Sequence, residues 1–155
     1  MRTPKLEALH RMIDWHNSTN NTNITRLDID TSEIDSNSWL AGFADGDGNF
    51  SINVTNRKKR GKITSKRIQT FFRIEVRQNY HKQTLYNTNN VSYYNIINII
   101  GLYLGVNVYS RSRIQGEKVF HSFTVVSHNM DSHQKIMKYF DRFPLYSSKY
   151  LSYKD

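Results

Sequence analysis

The sequence predicts an α+β fold with an antiparallel sheet covered on one face by helices, on three observations. From Ser36 onward, helical segments alternate with pairs of strand segments. The strand segments alternate apolar with polar residues, as a sheet buried on one face requires. Glycine or proline marks the junctions, at Gly48, Gly61, Gly105, Gly116 and Pro144.

Leu6, Leu9, Met12, Ile13 and Trp15 recur at helical spacing, so residues 4–16 read as a short amphipathic helix. The stretch that follows, NSTNNTNITRLDIDTSEIDSNS, is polar and without period and reads as an extended lead-in. Three of its tripeptides match glycosylation acceptors, but no signal-peptide stretch accompanies them, and they read as chance in an Asn-rich segment. Residues 1–35 are therefore set apart from a single unit over 36–155. That unit opens with a helix: Ser36 and Asn37 suit its N-cap, and Trp39, Leu40, Phe43 and Ala44 give it an apolar face. Gly46-Asp47-Gly48 stops it.

Two strands follow, FSINVTN and TFFRIEVRQ, joined by a cationic loop, RKKRGKITSKR, with its turn at Gly61. After a polar segment over 79–90, a helix runs from Val91 to Leu104 and stops at Gly105. NVYSRSR and KVFHSFTVV make a second hairpin around Gln115-Gly116. A last helix spans about Asp131 to Phe143 and presents Ile136, Met137, Tyr139 and Phe140. Pro144 ends it, and a Ser-rich turn leads into Lys149-Tyr150-Leu151. The order is α-ββ-α-ββ-α, present once in the chain.

Composition removes several function classes. The chain has no cysteine, which excludes disulfides, thiolate zinc sites and a cysteine nucleophile. Its most apolar stretch, Val91 to Val108, is interrupted by Ser92, Asn95, Asn98 and two glycines, so no membrane partner is expected. Lys and Arg number 22 against 13 Asp and Glu, a formal charge of +9 that favours a polyanionic partner, nucleic acid first. The six histidines show no metal-ligand spacing.

The strands say where the charge would act. Phe72, Ile74 and Val76 share one face of their strand, and Arg73, Glu75 and Arg77 the other. Ser51, Asn53 and Thr55 oppose Ile52 and Val54. Tyr109, Arg111 and Arg113 alternate with Val108, Ser110 and Ser112. With Gln69, these polar residues make a ribbon face suited to the major groove of double-stranded DNA, where Arg reads guanine and Asn or Gln reads adenine. Arg57, Lys59, Arg60, Lys62, Lys66 and Arg67 in the cationic loop would grip phosphates, adding affinity but little sequence information.

Residues 40–48, LAGFADGDG, keep the opening Leu-Ala-Gly, both aspartates and the final glycine of the LAGLIDADG signature. The chain is identified by them, and by the flanking LEALHRMIDWHN and YFDRFPLYSSKYL, as resembling LAGLIDADG homing endonucleases and group I intron maturases of fungal mitochondria. Physics supports the likeness: Gly42 and Gly46 lie four apart and leave a helix stripe nearly bare, so two such helices can pack closely across a two-fold axis. The expected interface comprises Leu40, Ala41, Gly42, Ala44, Asp45 and Gly46. It would bring together two Asp47 carboxylates, whose repulsion a divalent cation relieves.

The resemblance implies a saddle-like sheet over DNA, Mg²⁺ or Mn²⁺ as cofactor, and Asp47 as the essential metal ligand with the Gly46 carbonyl as a lesser one. Asp45 points elsewhere and braces the fold. Gln78 matches the family's polar residue that orders water near the metals. Lys149 matches the basic residue that supports the transition state, with Ser148 open as the alternative at that place. One signature gives half an active site, so the second half comes from a homodimer or from a second repeat. A non-cleaving maturase bound to group I intron RNA is the rival activity, and a transcription factor on the same fold a further one. A mitochondrial setting is implied for either main reading.

Overall fold

The computed structural model describes residues 1–80 and 92–155, except the side chains of residues 58, 59, 63 and 64. Its elements are α1 (Leu6–Asn20), α2 (Trp39–Asp47), β1 (Gly48–Lys59), β2 (Lys62–Arg77), α3 (Tyr94–Leu104), β3 (Val108–Gln115), β4 (Lys118–Ser127), α4 (Met130–Arg142) and α5 (Lys149–Lys154). The strands form one antiparallel sheet in the order β1-β2-β4-β3. The two hairpins therefore meet along β2 and β4, and β1 and β3 lie at the edges.

Period-two alternation gives the sheet its buried face. Phe72, Ile74 and Val76 of β2 join Val125 of β4 beneath the helices. Against them pack Leu40, Ala41 and Ala44 of α2, Ile97, Ile100 and Leu104 of α3, and Ile136, Tyr139 and Phe140 of α4. The aromatic residues Phe50, Phe72, Tyr139 and Phe140 meet at tilted or edge-to-face angles. Among the described residues, no helix is long and apolar enough to cross a membrane.

Local chemistry sets the boundaries. The Asn129 side chain accepts from the Ser132 amide at 2.8 Å and starts α4. Gly105, at φ 71, ends α3 in the left-handed conformation, where its amide and that of Val106 bond back to Leu102 and Gly101. Gly48 is needed for another reason. A Cβ there would lie 2.6 Å from the Ala44 carbonyl oxygen, so only glycine lets β1 leave α2 this tightly.

Four expectations change. The cationic stretch 57–67 is mostly ladder rather than loop: Arg57 pairs with Ser65, Asn56 with Lys66 and Lys59 with Lys62, and the turn is Arg60-Gly61 alone, both at positive φ. Helix α1 continues to Asn20, held by side-chain bonds of Asn17 and Asn20 rather than by an apolar stripe. Helix α3 is described from Tyr94, and its expected start at Val91 lies outside the described residues. Residues 149–154 form a helix, α5, which carries no long apolar period.

Gly48→Ala should destabilise the chain by about 1–3 kcal/mol, because the new methyl has only backbone to displace. Urea unfolding followed by circular dichroism would measure it; Gly116→Ala, whose Cβ meets nothing but must hold φ 61, gives the contrasting case of a pure conformational cost.

Candidate active site and nucleic-acid interface

Helix α2 has two unlike sides. Leu40, Ala41 and Ala44 are at most 2% exposed and belong to the chain's own core. They are not available to a partner, which corrects the expected interface. Gly42 and Gly46 are exposed, and a Cβ on either would meet nothing within 4 Å. Trp39 and Phe43, stacked with centroids 4.8 Å apart, flank that bare strip. The exposed strip of α2 is therefore Gly42 and Gly46, with the half-buried Trp39 and Phe43 beside it.

Both ends of α2 are tied by distant chain. At its start, the Tyr139 hydroxyl donates to the Asn37 carbonyl at 2.7 Å and accepts from the Ala41 amide at 3.2 Å. At its end, the Lys149 ammonium donates to the carbonyls of Ala44, Asp45 and Gly46 at 3.2, 2.8 and 2.9 Å. A cation on the last carbonyls of a helix satisfies orphan acceptors and opposes the dipole. Asp45 completes the join: its carboxylate accepts from the Tyr146 amide, the Ser147 amide and the Ser147 hydroxyl at 2.9, 3.1 and 2.6 Å. Burial works against its charge, yet the Ser147 and Tyr146 hydrogen bonds and the Lys149 ammonium outweigh burial and hold the carboxyl below its ordinary 3.8.

Asp47 emerges from this clamp exposed and accepts no hydrogen bond among the described residues. It lines a cleft of about 720 Å³ with Gly42, Gly46, Glu75, Arg77 and Tyr93, and with Thr3 and Lys5 of the N-terminal segment. Burial, then the charges of Tyr80 and Asp47, push the Tyr93 hydroxyl pKa up. Among the described residues, no group of three or more His, Asp or Glu is assembled for a metal. One bare carboxylate suits a magnesium-like ion that keeps mostly water and phosphate oxygens, and it does not suit a pre-built cage. The Gly46 carbonyl, expected as a lesser ligand, accepts from the Lys149 ammonium instead, a charge that opposes a cation at that oxygen.

Two further expected residues sit elsewhere. Gln78 Nε2 donates to Ser110 Oγ of β3 at 2.7 Å, and Gln78 does not line the Asp47 cleft. Strand alternation places it with Ile74 and Val76, on the helix side of the sheet. Lys149 is occupied with the α2 carbonyls, and Ser148 precedes α5 without a side-chain cap.

The register assembles the polar face. Ser51, Asn53, Thr55 and Arg57 of β1 face Phe71, Gln69, Arg67 and Ser65 of β2. Arg73, Glu75 and Arg77 continue the face to Val126, Thr124 and Ser122 of β4, and Tyr109 and Arg111 of β3 pair with the latter two. Arg113 stands opposite Phe120. Lys66, paired with Asn56, falls on the other face, and Lys62 lies beside the turn with Arg60. The side chain of Lys59 lies outside the described residues. Glu75 accepts from Ser122 Oγ at 2.8 Å and pairs with Arg111 at 3.4 Å, so it bridges β2, β4 and β3. Asn49 and Ser122 also fall on this face, whereas Thr124, which shares the alternation, is buried at 2% exposure; strand alternation alone would have found Ser122, had β4 been read by face.

The LAGLIDADG endonuclease family profile matches residues 40–155. The chain is 41% identical, over an alignment of 175 residues, to the intron-encoded DNA endonuclease aI3 of Saccharomyces cerevisiae, covering all of this chain and 41% of that protein. It is 32% identical to an uncharacterized cox1 intron-2 protein of Schizosaccharomyces pombe, over 82% of this chain and 31% of the other. The chain thus spans less than half the length of these relatives. Among solved structures, the homing endonuclease I-SmaMI bound to cleaved DNA superposes with a TM-score of 0.51 at 20% identity, over 91% of this chain and 41% of that one. The meganuclease I-CpaMI bound to uncleaved DNA gives 0.50 at 24%, over 76% and 34%. These likenesses are of fold.

Lys149→Met should lower stability by about 1–2 kcal/mol in urea titrations, since three carbonyls lose a charged donor, while Lys149→Arg should recover part of it. Because the Asp45 carboxyl is depressed, its stabilisation is complete above 3.8 and is lost as pH falls through the lower folded value. Urea midpoints taken from about pH 5 down to about pH 2 should therefore fall more steeply for the parent than for Asp45→Asn.

Proposed function

The chain belongs to the LAGLIDADG endonuclease family, and on that premise we propose that it cuts double-stranded DNA at a specific site, one strand for each of two paired units. The observation that carries this reading is the bare Asp47 carboxylate at the clamped end of α2, in a cleft that also takes in Arg77 and Glu75 of the polar sheet face. A DNA duplex laid along that face would meet Asn53, Gln69, Arg73, Arg77, Arg111 and Arg113 and run toward Asp47. The cations neutralise phosphates, and the mixture of guanidinium and amide groups supplies base-edge readout. Arg113 and Arg67 lie toward the hairpin ends, where they would contact the flanks of the site.

Asp47 would hold a divalent ion, Mg²⁺ or Mn²⁺, together with phosphate and water oxygens. Such an ion, when bound, polarises the attacking water and stabilises charge on the phosphodiester. The chain's own contribution is placement. Lys149 and the Asp45 hydrogen bonds fix the last turn of α2, so Asp47 is presented at one depth and angle. Lys149 acts through the helix in this reading rather than at the scissile phosphate. The open strip Gly42 and Gly46, with Trp39 and Phe43, would meet the same strip of the second unit, which is a second copy or a second repeat. Both named relatives are intron-encoded proteins, which supports an organellar, mitochondrial origin for this chain.

Incubation with a pooled randomised duplex library in Mg²⁺ should yield double-strand cuts at one family of sequences. Asp47→Asn should reduce the rate by at least about a thousandfold while leaving binding in Ca²⁺ within about threefold. Cutting that survives Asp47→Asn would overturn the assignment of the metal ligand. Binding to RNA without any cutting of DNA would place the chain with the maturases instead.

A further inference from the structure

Tyr103, Tyr139 and Tyr153 pack on the core, and each gives its hydroxyl to a protein group. Tyr139 donates to the Asn37 carbonyl at 2.7 Å, Tyr153 to the Asp141 carboxylate at 3.0 Å and Tyr103 to the Lys135 carbonyl at 3.4 Å. Tyr93 differs. It is 8% exposed, and its hydroxyl has no hydrogen-bond partner among the described residues. A phenol buried to this extent ordinarily gives its O–H to a partner.

The hydroxyl belongs to the Asp47 cleft. Tyr93 lines that cleft together with Gly46 and Asp47. Burial, then the charges of Tyr80 and Asp47, raise its pKa above the ordinary 10.0, and both of those residues line the same cleft. The group is therefore a neutral donor at neutral pH, near enough to the Asp47 carboxylate to feel its charge and not bonded to it.

Backbone bonds fix where Tyr93 stands. Its amide donates to the Gln78 carbonyl at 2.9 Å, and its carbonyl accepts from the Ile97 amide at 3.1 Å as α3 begins. Ser92 pairs with Asn79 just before it. The residue is thus held between the end of β2 and the start of α3, and its ring lies in the core. Little rotamer freedom remains to be lost when the hydroxyl takes a partner. Neighbouring polar side chains are already engaged: Gln78 with Ser110, Glu75 with Ser122 and Arg111, and Lys149 with the α2 carbonyls. Tyr93 stands unbonded beside an unbonded carboxylate.

We propose that the Tyr93 hydroxyl donates to the oxygen that lies against Asp47 when the cleft is loaded. That oxygen belongs to the water around the divalent ion or to the phosphate, and the donor chemistry is the same for both. The inference rests on the reading that Asp47 meets the ion and the scissile phosphate, and adds to it a group outside the signature helix. A neutral O–H offers such an oxygen a bond without cancelling the negative charge that holds the ion.

Replacement of Tyr93 alone by 3-fluorotyrosine gives a ¹⁹F signal that reports on the hydroxyl without any cutting. The DNA is a duplex selected from a random library by binding in Ca²⁺. The signal should move when millimolar Ca²⁺ is added, and Asp47→Asn should abolish the movement. Movement with Ca²⁺ alone identifies a water oxygen, and movement that needs the duplex identifies a phosphate oxygen. In Mg²⁺, Tyr93→Phe, which keeps the ring in the core, should cut about tenfold more slowly in single turnover. Its Kd for the duplex in Ca²⁺ should stay within about twofold, with unchanged circular dichroism. A ¹⁹F signal unmoved by Ca²⁺ with or without the duplex overturns the proposal, as does a Tyr93→Phe protein that cuts at the parent rate. A movement that depends on Asp47, in a parent that cuts no DNA, sinks the cleavage reading and leaves this contact standing.

Discussion

The site depends on one exchange of charge between the end of α2 and the loop that follows α4. Lys149 gives its ammonium to three carbonyls of α2, and Asp45 of α2 takes two amides and a hydroxyl from residues 146 and 147. Each partner satisfies groups that the other's backbone leaves open, so the two ends stabilise one another. The join spans about a hundred residues of sequence, and closing it draws α4, the Pro144 turn and the beginning of α5 against the start of β1. Asp47 lies just past it. A carboxylate that must meet a metal and a phosphate is useful only at a fixed place, and here the fixing is done by groups that touch neither.

The sheet is organised by a comparable bridge. Glu75 stands among arginines, bonded to Ser122 and paired with Arg111, and so links three strands on the side away from the core. An exposed ion pair contributes little to stability. Its effect is on geometry: the Arg111 guanidinium is held near the middle of the sheet instead of swinging free. The same polar face that would take DNA is thereby partly ordered before any DNA arrives.

The sequence made much of this legible, and the failures have specific causes. Strand alternation located both faces of β2 and β3, because each apolar residue there sits beside a charged one. It failed over 57–67, where arginines and lysines leave no alternation to read, although the ladder needs only backbone groups. In α2, the residues WLAGFADGD are small or apolar all round, so nothing in their spacing separates the core side from the open side; Leu40, Ala41 and Ala44 were assigned outward and lie inward. Gln78 shows the opposite error, since its parity with Ile74 and Val76 already placed it on the helix side. The partners of Lys149 and Tyr139 are roughly a hundred residues distant in sequence, and no local pattern encodes such a meeting.

The strand order leaves β1 and β3 with unpaired backbone edges, one of them twelve residues long. Exposed edges of that length invite another chain to add a strand, which is the first step toward fibrous aggregates. Arg57 on β1 and Arg113 on β3 place bulky cationic side chains on those edge strands. The charges suited to a phosphate backbone thus also keep copies of the molecule from zipping together at high concentration. Neutralising them to weaken nucleic-acid contact would be expected to cost solubility as well, so on these two strands the choice of arginine is constrained twice.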